Sequence, residues 1–333
     1  SAPTDAAPAL AAVRQTRLAN IWLAGAAGGA GGTARPLTSI SSPERSPMNF
    51  SVAGADQVVF DAPNDPTLQV WTVSAAGGEP RALTAGANHS ANALGASGVI
   101  VFDRLEESGV HIWRMELDGT GLRQLTQGSG EQRAALSPDG RFVAIERWES
   151  PRKIELLALE TGAISTIATD ASGVLGFSPD SSQLLVGQLQ ADERGLARTV
   201  WRAVPIAGGA PTVEFRLPPS ALGQVWGPDS RSLTFRNRTD PAWNVYRLGA
   251  AGSKGSNGSA GSDTSEPAQV TRFDKGRLTG HWWSPDGTRL AVSRRTEAGD
   301  SLWVTAADGS RAARNSPGAA VASSGSSAFS ISM

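Results

Sequence analysis

Two short motifs recur along this chain, and their spacing constrains the fold more than any other feature. The tetrapeptide Ser-Pro-Asp-Gly at 137–140 returns with small changes at 178–181, 227–230 and 284–287, each time between two short apolar runs. Proline in the second position and glycine in the fourth favour a type I turn that closes a β-hairpin. The second motif is an aromatic residue within a short apolar strand, followed by a turn of small residues. Its aromatic positions are Trp22, Trp71, Trp113, Trp201, Tyr246 and Trp303.

The distances between the aromatic positions give the period of the repeat. Trp71 and Trp113 are 42 residues apart, and 42 residues further on Glu155 occupies the aromatic position. The later intervals are 46, 45 and 57 residues, and the last is lengthened by a Gly/Ser-rich insert at 249–265. A period of about 40–45 residues with four short strands per unit is typical of a β-propeller blade. The sequence therefore predicts an all-β fold, a six-bladed β-propeller with four antiparallel strands per blade.

The repeat leaves one incomplete unit at the start. Complete units are predicted at 49–84, 90–126, 133–167, 173–217, 223–273 and 279–312. Residues 20–38 hold only the sequence of a third strand and an outer strand. This half unit either completes the last blade, which closes a ring of six, or belongs to a seventh blade that is incomplete. Because the last unit lacks the Leu-Thr pair found at other outer strands, we expect the first closure.

The repeated residues are predicted to build the blades. An indole ring is wide enough to fill the wedge between splayed sheets, which accounts for ten Trp against a single Tyr. The turn aspartates are predicted to be structural as well, since their carboxylates can accept backbone N–H bonds. These aspartates are Asp139, Asp180, Asp229 and Asp286.

Composition excludes several classes of partner. The net charge is −1 and 18% of the residues are charged, so no strong field would attract nucleic acid or an anionic membrane. No apolar run approaches the length of a membrane span, so we expect no membrane insertion by this chain. Zero Cys excludes disulfides and thiolate metal sites. Residues 1–19 are predicted to be a linker, 20–312 the propeller and 313–333 a disordered tail.

Catalytic motifs are missing from the sequence. It contains no Gly-x-Ser-x-Gly elbow, no His-Glu-x-x-His and no phosphate-binding loop, so we predict a protein that is not an enzyme and has no cofactor or metal. Polar residues at the starts of inner strands and in the loops that lead into them are the candidate binding residues, because inner strands line the channel of a propeller. We expect them to gather at one channel mouth and to bind a protein, peptide or small ligand. They are His89, Asn92, Glu131, Gln224 and His281.

The Ser-Pro-Asp-Gly hairpins, the Ile-Trp strand and the Arg-x-Leu-Thr outer strand resemble the TolB-like propeller repeats of bacterial proteins. The resemblance covers about 20–312, and within it the stretch at 20–287 looks like the C-terminal propeller of bacterial transmembrane serine/threonine kinases. It implies a non-catalytic binding or sensor module on the periplasmic or extracytoplasmic side of a membrane. A free-standing periplasmic TolB-like protein is one alternative. The gating propeller of a prolyl-oligopeptidase-type serine peptidase is another.

Overall fold

The structure is a computed structural model. It describes residues 21–24, 34–39, 49–53, 57–64, 67–85, 89–94, 98–128, 130–191, 195–239, 241–249, 266–284, 286–310 and 313–314. The described residues form strands and turns, and none of them belongs to a helix of the length and apolarity that a membrane crossing needs.

A two-stranded sheet comes first, followed by six four-stranded sheets, each built from four consecutive strands. We call the first the half-blade, β1 (Trp22–Ala24) and β2 (Ala34–Pro36). Blade 1 contains β3 (Asn49–Ala53), β4 (Gln57–Asn64), β5 (Thr67–Ser74) and β6 (Arg81–Ala82). Blade 2 contains β7 (His89–Leu94), β8 (Val99–Glu106), β9 (Gly109–Glu116) and β10 (Arg123–Gln124). Blade 3 contains β11 (Glu131–Leu136), β12 (Phe142–Arg147), β13 (Lys153–Ala158) and β14 (Ile164–Thr169).

The remaining blades repeat this order. Blade 4 contains β15 (Ala171–Phe177), β16 (Gln183–Ala191), β17 (Ala197–Pro205) and β18 (Val213–Phe215). Blade 5 contains β19 (Leu222–Trp226), β20 (Ser232–Thr239), β21 (Ala242–Gly249) and β22 (Ala268–Gln269). Blade 6 contains β23 (Arg277–Trp283), β24 (Arg289–Thr296), β25 (Gly299–Ala306) and β26 (Ala313–Arg314). The predicted all-β fold, a propeller of six blades with four antiparallel strands each, is confirmed.

The expected completion of the last blade by the half unit is wrong. Blade 6 has its own outer strand, β26, which pairs with β25, while the half-blade forms a separate sheet. Ile21 and Leu37 of the half-blade are buried against Val58 and Phe60 of blade 1. β26 could not be recognised from the sequence motif, because an outer strand can form with only two paired residues and without a Leu-Thr pair. This strand occupies the first two residues of the predicted tail.

Apolar clusters between consecutive units hold the blades together. Between blades 2 and 3, for example, Val101 and Ile112 are buried against Val143, Ile145 and Leu157. The repeated aromatic residues join these clusters, each beside a Phe of the second strand in three blades. The rings of Trp71 and Phe60 stack with centroids 6.4 Å apart. Trp22 lies on β1, and its side chain is outside the described residues.

Three outer strands, β6, β10 and β22, are followed two residues later by a threonine that extends the sheet with its side chain. The hydroxyl Oγ1 of Thr84 accepts a hydrogen bond from the backbone N–H of Val70 at 3.0 Å. Thr126 accepts in the same way from Ile112 at 3.0 Å, and Thr271 from Val245 at 2.9 Å. The Leu-Thr repeat therefore has a physical cause, since it pairs a third-strand N–H where the short outer strand has ended.

The Ser-Pro-Asp turns are closed by side chains. In the first of them, Ser137 Oγ donates to Asp139 Oδ1 at 2.6 Å, and the carboxylate accepts from the N–H of Arg141 at 3.1 Å. Asp180, Asp229 and Asp286 each accept the backbone N–H two residues on as well. The bond from Ser284 and those from Thr288 lower the pKa of Asp286 to about 2.

Neighbouring turns are also bonded to each other. Ser181 and Ser230 occupy the fourth position with φ of 59° and 54°, a left-handed conformation that costs a non-glycine residue energy. Ser181 Oγ accepts from the N–H of Asp139 at 3.0 Å, and Ser230 Oγ from that of Asp180 at 3.1 Å. These two hydrogen bonds connect blade 3 to blade 4 and blade 4 to blade 5, and they compensate the strained backbone.

Candidate functional site

A cavity of about 380 Å³ lies at the end of the ring that carries the Ser-Pro-Asp turns, which we call the turn end. It is lined by the inner strands of blades 4, 5 and 6 and by the turns of blades 3, 4, 5 and 6. Its lining residues are Pro138, Leu175, Phe177, Pro179, Gln224, Val225, Trp226, Pro228, Trp282, Trp283 and Ser284. This volume falls within the range of small-ligand sites.

The aromatic wall of the cavity depends on a glycine. Trp282 and Trp283 are consecutive on β23, and the indole of Trp282 lies directly over Gly280, where a Cβ atom would overlap the ring. The indole N–H of Trp283 donates to Thr234 Oγ1 at 3.1 Å, and that of Trp226 to the carbonyl of Gly176 at 3.2 Å. The rings of Trp226 and Trp283 are therefore fixed by hydrogen bonds to the neighbouring blade.

Gln224 reaches the cavity because β19 contains a bulge. The ladder pairs Leu222 with Arg236 and then Val225 with Thr234, so Gly223 and Gln224 fall between the two pairs. A bulge of this kind redirects side chains. The Gln224 amide is half-buried and makes only a long contact, 3.4 Å from its Nε2 to the carbonyl of Ala221. It is therefore the side-chain amide available to orient a ligand in a largely apolar cavity.

His281 does not reach the channel. Its ring is 2% exposed and its Nε2 lies 3.0 Å from Thr234 Oγ1 of blade 5. Burial lowers the pKa of His281, and the nearby positive charge of Arg236 lowers it further, to about 3. The imidazole is neutral at ordinary pH and packs between blades 5 and 6.

Glu131 is likewise buried between blades. Its carboxylate accepts hydrogen bonds from Thr126 and from the N–H of Gly128, and it pairs with Arg147 at 3.0 Å. His111 of blade 2 lies 3.5 Å away. Arg147 also binds Glu155, the residue that replaces the aromatic ring in blade 3. Burial acts to lower the pKa of Arg147, but the hydrogen bond and charge of Glu155 outweigh it and raise the value.

The structure thus does not assemble the predicted cluster as a whole. Asn92 lies on the inner strand β7 as expected, and His89, expected in the preceding loop, is the first residue of that strand. The side chains of both are outside the described residues. Glu131 and His281 are enclosed by protein, because their side chains point into the interface between neighbouring blades. Gln224 lines the cavity. The aromatic and proline residues around it were not predicted, because the sequence prediction rested on polar side chains alone. Within the described part of the chain, no three His, Asp or Glu side chains are placed to hold a metal ion.

Comparisons with known proteins agree with this architecture. No protein-family model matches the chain, and no curated protein does. Among solved structures, the chain is similar to TolB from Acinetobacter baumannii, with 14% identity and a TM-score of 0.50 over 78% of this chain and 63% of that one. By fold, the chain is a TolB-like β-propeller. The region of similarity spans less than two thirds of the length of the TolB chain.

Two other solved structures share the architecture of this TolB-like propeller. The β-propeller domain of the Trilobed protease from Pyrococcus furiosus matches with 9% identity and a TM-score of 0.56, over 82% of this chain and 85% of that one. An oligogalacturonate lyase in complex with manganese matches with 14% identity and a TM-score of 0.60, over 92% and 86% of the two chains. At these identities the likeness establishes the fold alone.

Proposed function

We propose that this TolB-like propeller is a non-catalytic binding module that holds an apolar segment of a protein or peptide partner in the turn-end cavity. The observation that carries the proposal is the cavity itself, which combines three Trp rings and three prolines with one amide, that of Gln224. Aromatic rings supply a large apolar contact area, and a single amide can orient a peptide backbone. The cavity lining contains no acid, base or nucleophile pair that would suggest turnover.

Paired variants test this proposal. Trp282→Ala removes the ring over Gly280, and Gln224→Ala removes the amide. Trp148→Ala is the control, because Trp148 is 44% exposed on blade 3 and does not line the cavity. The wild-type protein is immobilised and incubated with bacterial envelope extract, and each captured protein is then measured against the three variants. We expect a specific partner to lose at least about tenfold in affinity with both cavity variants and to bind Trp148→Ala normally.

The melting temperature of each variant is measured alongside, since an unfolded variant would also lose binding. A partner that binds all three variants equally would contradict the cavity assignment. Measured turnover of any substrate would contradict the non-catalytic assignment.

We further propose that the module is the extracytoplasmic sensor part of a bacterial signalling protein, such as a receptor serine/threonine kinase. The support for this placement is the resemblance of the repeats to those propellers. Sequencing the gene upstream of Ser1 tests it. A kinase domain followed by an apolar segment of about 20 residues supports the proposal. A start codon and secretion signal directly before Ser1 would instead support a free-standing periplasmic protein.

A further inference from the structure

A second polar feature lies at the end of the ring opposite to the turn end. Arg236 on β20 pairs in the ladder with Leu222, the first residue of the inner strand β19. Its Nη1 donates to the carbonyl of Leu278 on β23 at 2.9 Å. Arg236 therefore connects the starts of the inner strands of blades 5 and 6, the first through its backbone and the second through its guanidinium, away from the cavity.

Several arginines of comparable burial have a carboxylate partner. A carboxylate oxygen lies within 4.0 Å of Arg104, Arg114, Arg147, Arg202 and Arg294. Within the described residues, the half-buried Arg236 has no such partner, and its Nε, which is buried, has no hydrogen bond. A charge that is partly withdrawn from water without a counter-ion is costly, so its retention needs a cause.

A second positive charge lies near Arg236. Arg277 precedes Leu278 on β23, and its guanidinium is exposed and lies over the ring of Trp243, 5.8 Å from the centroid. Burial lowers the pKa of Arg236, and the charge of Arg277 lowers it further. Arg236 and Arg277 thus place two positive charges on strands that meet between blades 5 and 6, in a chain whose overall charge is −1.

The guanidinium of Arg236 packs against the inner strand of blade 5. Gly223 lies in the bulge of β19 with φ of 59°, and a Cβ atom at this position would overlap Nη2 of Arg236, so the glycine makes room for the guanidinium. Gly223 and Leu222 are both exposed. Since Nη1 is engaged by Leu278, Nη2 is the donor that faces this open stretch of the inner strand.

We propose that Arg236 and Arg277 form a binding site for an oxyanion, the carboxylate or phosphate group of a ligand that enters the ring from the end opposite to the turns. A guanidinium forms charge-assisted hydrogen bonds with such groups, which are stronger than bonds between neutral partners. A bound oxyanion would supply the missing counter-charge between blades 5 and 6. This site is separate from the turn-end cavity and does not depend on the function proposed for it.

The test measures the melting temperature of the full chain as sodium phosphate or sodium acetate replaces sodium chloride at constant ionic strength. A ligand that binds only the folded state raises stability with a saturable concentration dependence, whereas general salt effects act on every variant alike. The variants are Arg236→Gln, Arg277→Gln and the control Arg231→Gln, which changes an exposed arginine in the turn at the other end of blade 5.

We expect a saturable rise for the wild type and for Arg231→Gln, and an affinity about tenfold weaker for Arg236→Gln. Without added oxyanion, Arg236→Gln should melt no lower than the wild type, because it removes a half-buried charge that has no counter-ion. A purely structural role for the bond to Leu278 predicts the opposite. If Arg236→Gln does not fold, Arg277→Gln decides, with an affinity lower by about threefold.

A response to phosphate alone identifies a phosphate-bearing ligand, and a response to both salts identifies a site that also accepts carboxylates. Equal shifts in all four proteins, or no saturable shift in the wild type, would overturn the proposal.

Discussion

Nε2 of His281 on blade 6 lies 3.0 Å from Oγ1 of Thr234 on blade 5, in an interface where the imidazole is 2% exposed. The two blades thus meet around a neutral histidine, with the Trp283 indole donating to the same hydroxyl at 3.1 Å. This arrangement makes the stability of the propeller depend on pH.

The first prediction is that stability falls as the pH drops from about 6.5 towards 3. Burial and Arg236 hold the pKa of His281 in the folded state at about 3, below the ordinary value of 6.5. Between these values the unfolded chain binds a proton that the folded chain does not, so about 1.4 kcal/mol is lost per pH unit. Urea denaturation at several pH values measures the slope. His281→Gln should be less stable than the wild type at pH 7. Its free energy of unfolding should fall by about 1.4 kcal/mol less per pH unit in this range, because the unfolded variant has no imidazole to protonate. An unchanged slope would refute the assignment to His281.

The second prediction concerns Gly287, which packs directly on Pro228 of the preceding turn. Its φ is 69°, and a methyl group there would overlap Cβ of Pro228. Gly162 is a matched control, because its φ is 72° and nothing lies within 4 Å of a Cβ at that position. Gly162→Ala should cost about 1 kcal/mol for the left-handed backbone alone. Gly287→Ala should cost about 1–3 kcal/mol more in the free energy of unfolding. Equal costs would show that blades 5 and 6 do not touch here.

The third prediction separates strain from hydrogen bonding at Ser230. Ser230→Ala removes the acceptor for the N–H of Asp180 and keeps the left-handed backbone, so it should cost about 1 kcal/mol. Ser230→Gly loses the same bond but relieves the strain, so it should be the milder change. Thermal or urea unfolding of the two variants gives the order. A glycine variant less stable than the alanine variant would contradict this reading of the turn.

The fourth prediction concerns the threonines that end the outer strands. Thr126→Val keeps the shape of the side chain but leaves the N–H of Ile112 without its acceptor and removes the hydroxyl that donates to Oε2 of the buried Glu131. Thr84→Val is the matched comparison, because among the described residues the Thr84 hydroxyl is bonded to the N–H of Val70 alone. We expect a loss of about 1 kcal/mol for Thr84→Val and about 2–3 kcal/mol for Thr126→Val in urea denaturation. Equal losses for the two variants would contradict a contribution of the bond between Thr126 and Glu131 to stability.

The fold could be predicted because the repeat depends on interactions between residues that are close in the sequence. A turn such as 137–140 closes through its own side chains, and the aromatic position returns at a fixed interval, so the number of strands and sheets follows from the sequence. The half-blade and β26 could not be predicted in this way. Which sheet a two-residue strand joins is decided by packing across the ring, as with Ile21 and Leu37 against blade 1.

The candidate site was less predictable because inner strands are bulged. Register shifts interrupt the ladder at β7, β11, β15, β19 and β23, and each shift changes which residues face the channel. Counting from the turns therefore placed His281 at the channel, whereas its ring is enclosed between blades. The consecutive aromatic residues Trp282 and Trp283 were visible in the sequence, and they mark the cavity wall better than any polar residue does.

The length of the outer strands has a consequence for solubility. The perimeter of the molecule is formed by strands of two residues at β6, β10, β22 and β26 and three at β18, which give another chain almost no backbone to bind. At β14 the edge is six residues long and carries Ile164, 46% exposed. Self-association by strand addition would therefore begin at blade 3, and a lysine at position 164 would protect the rim there.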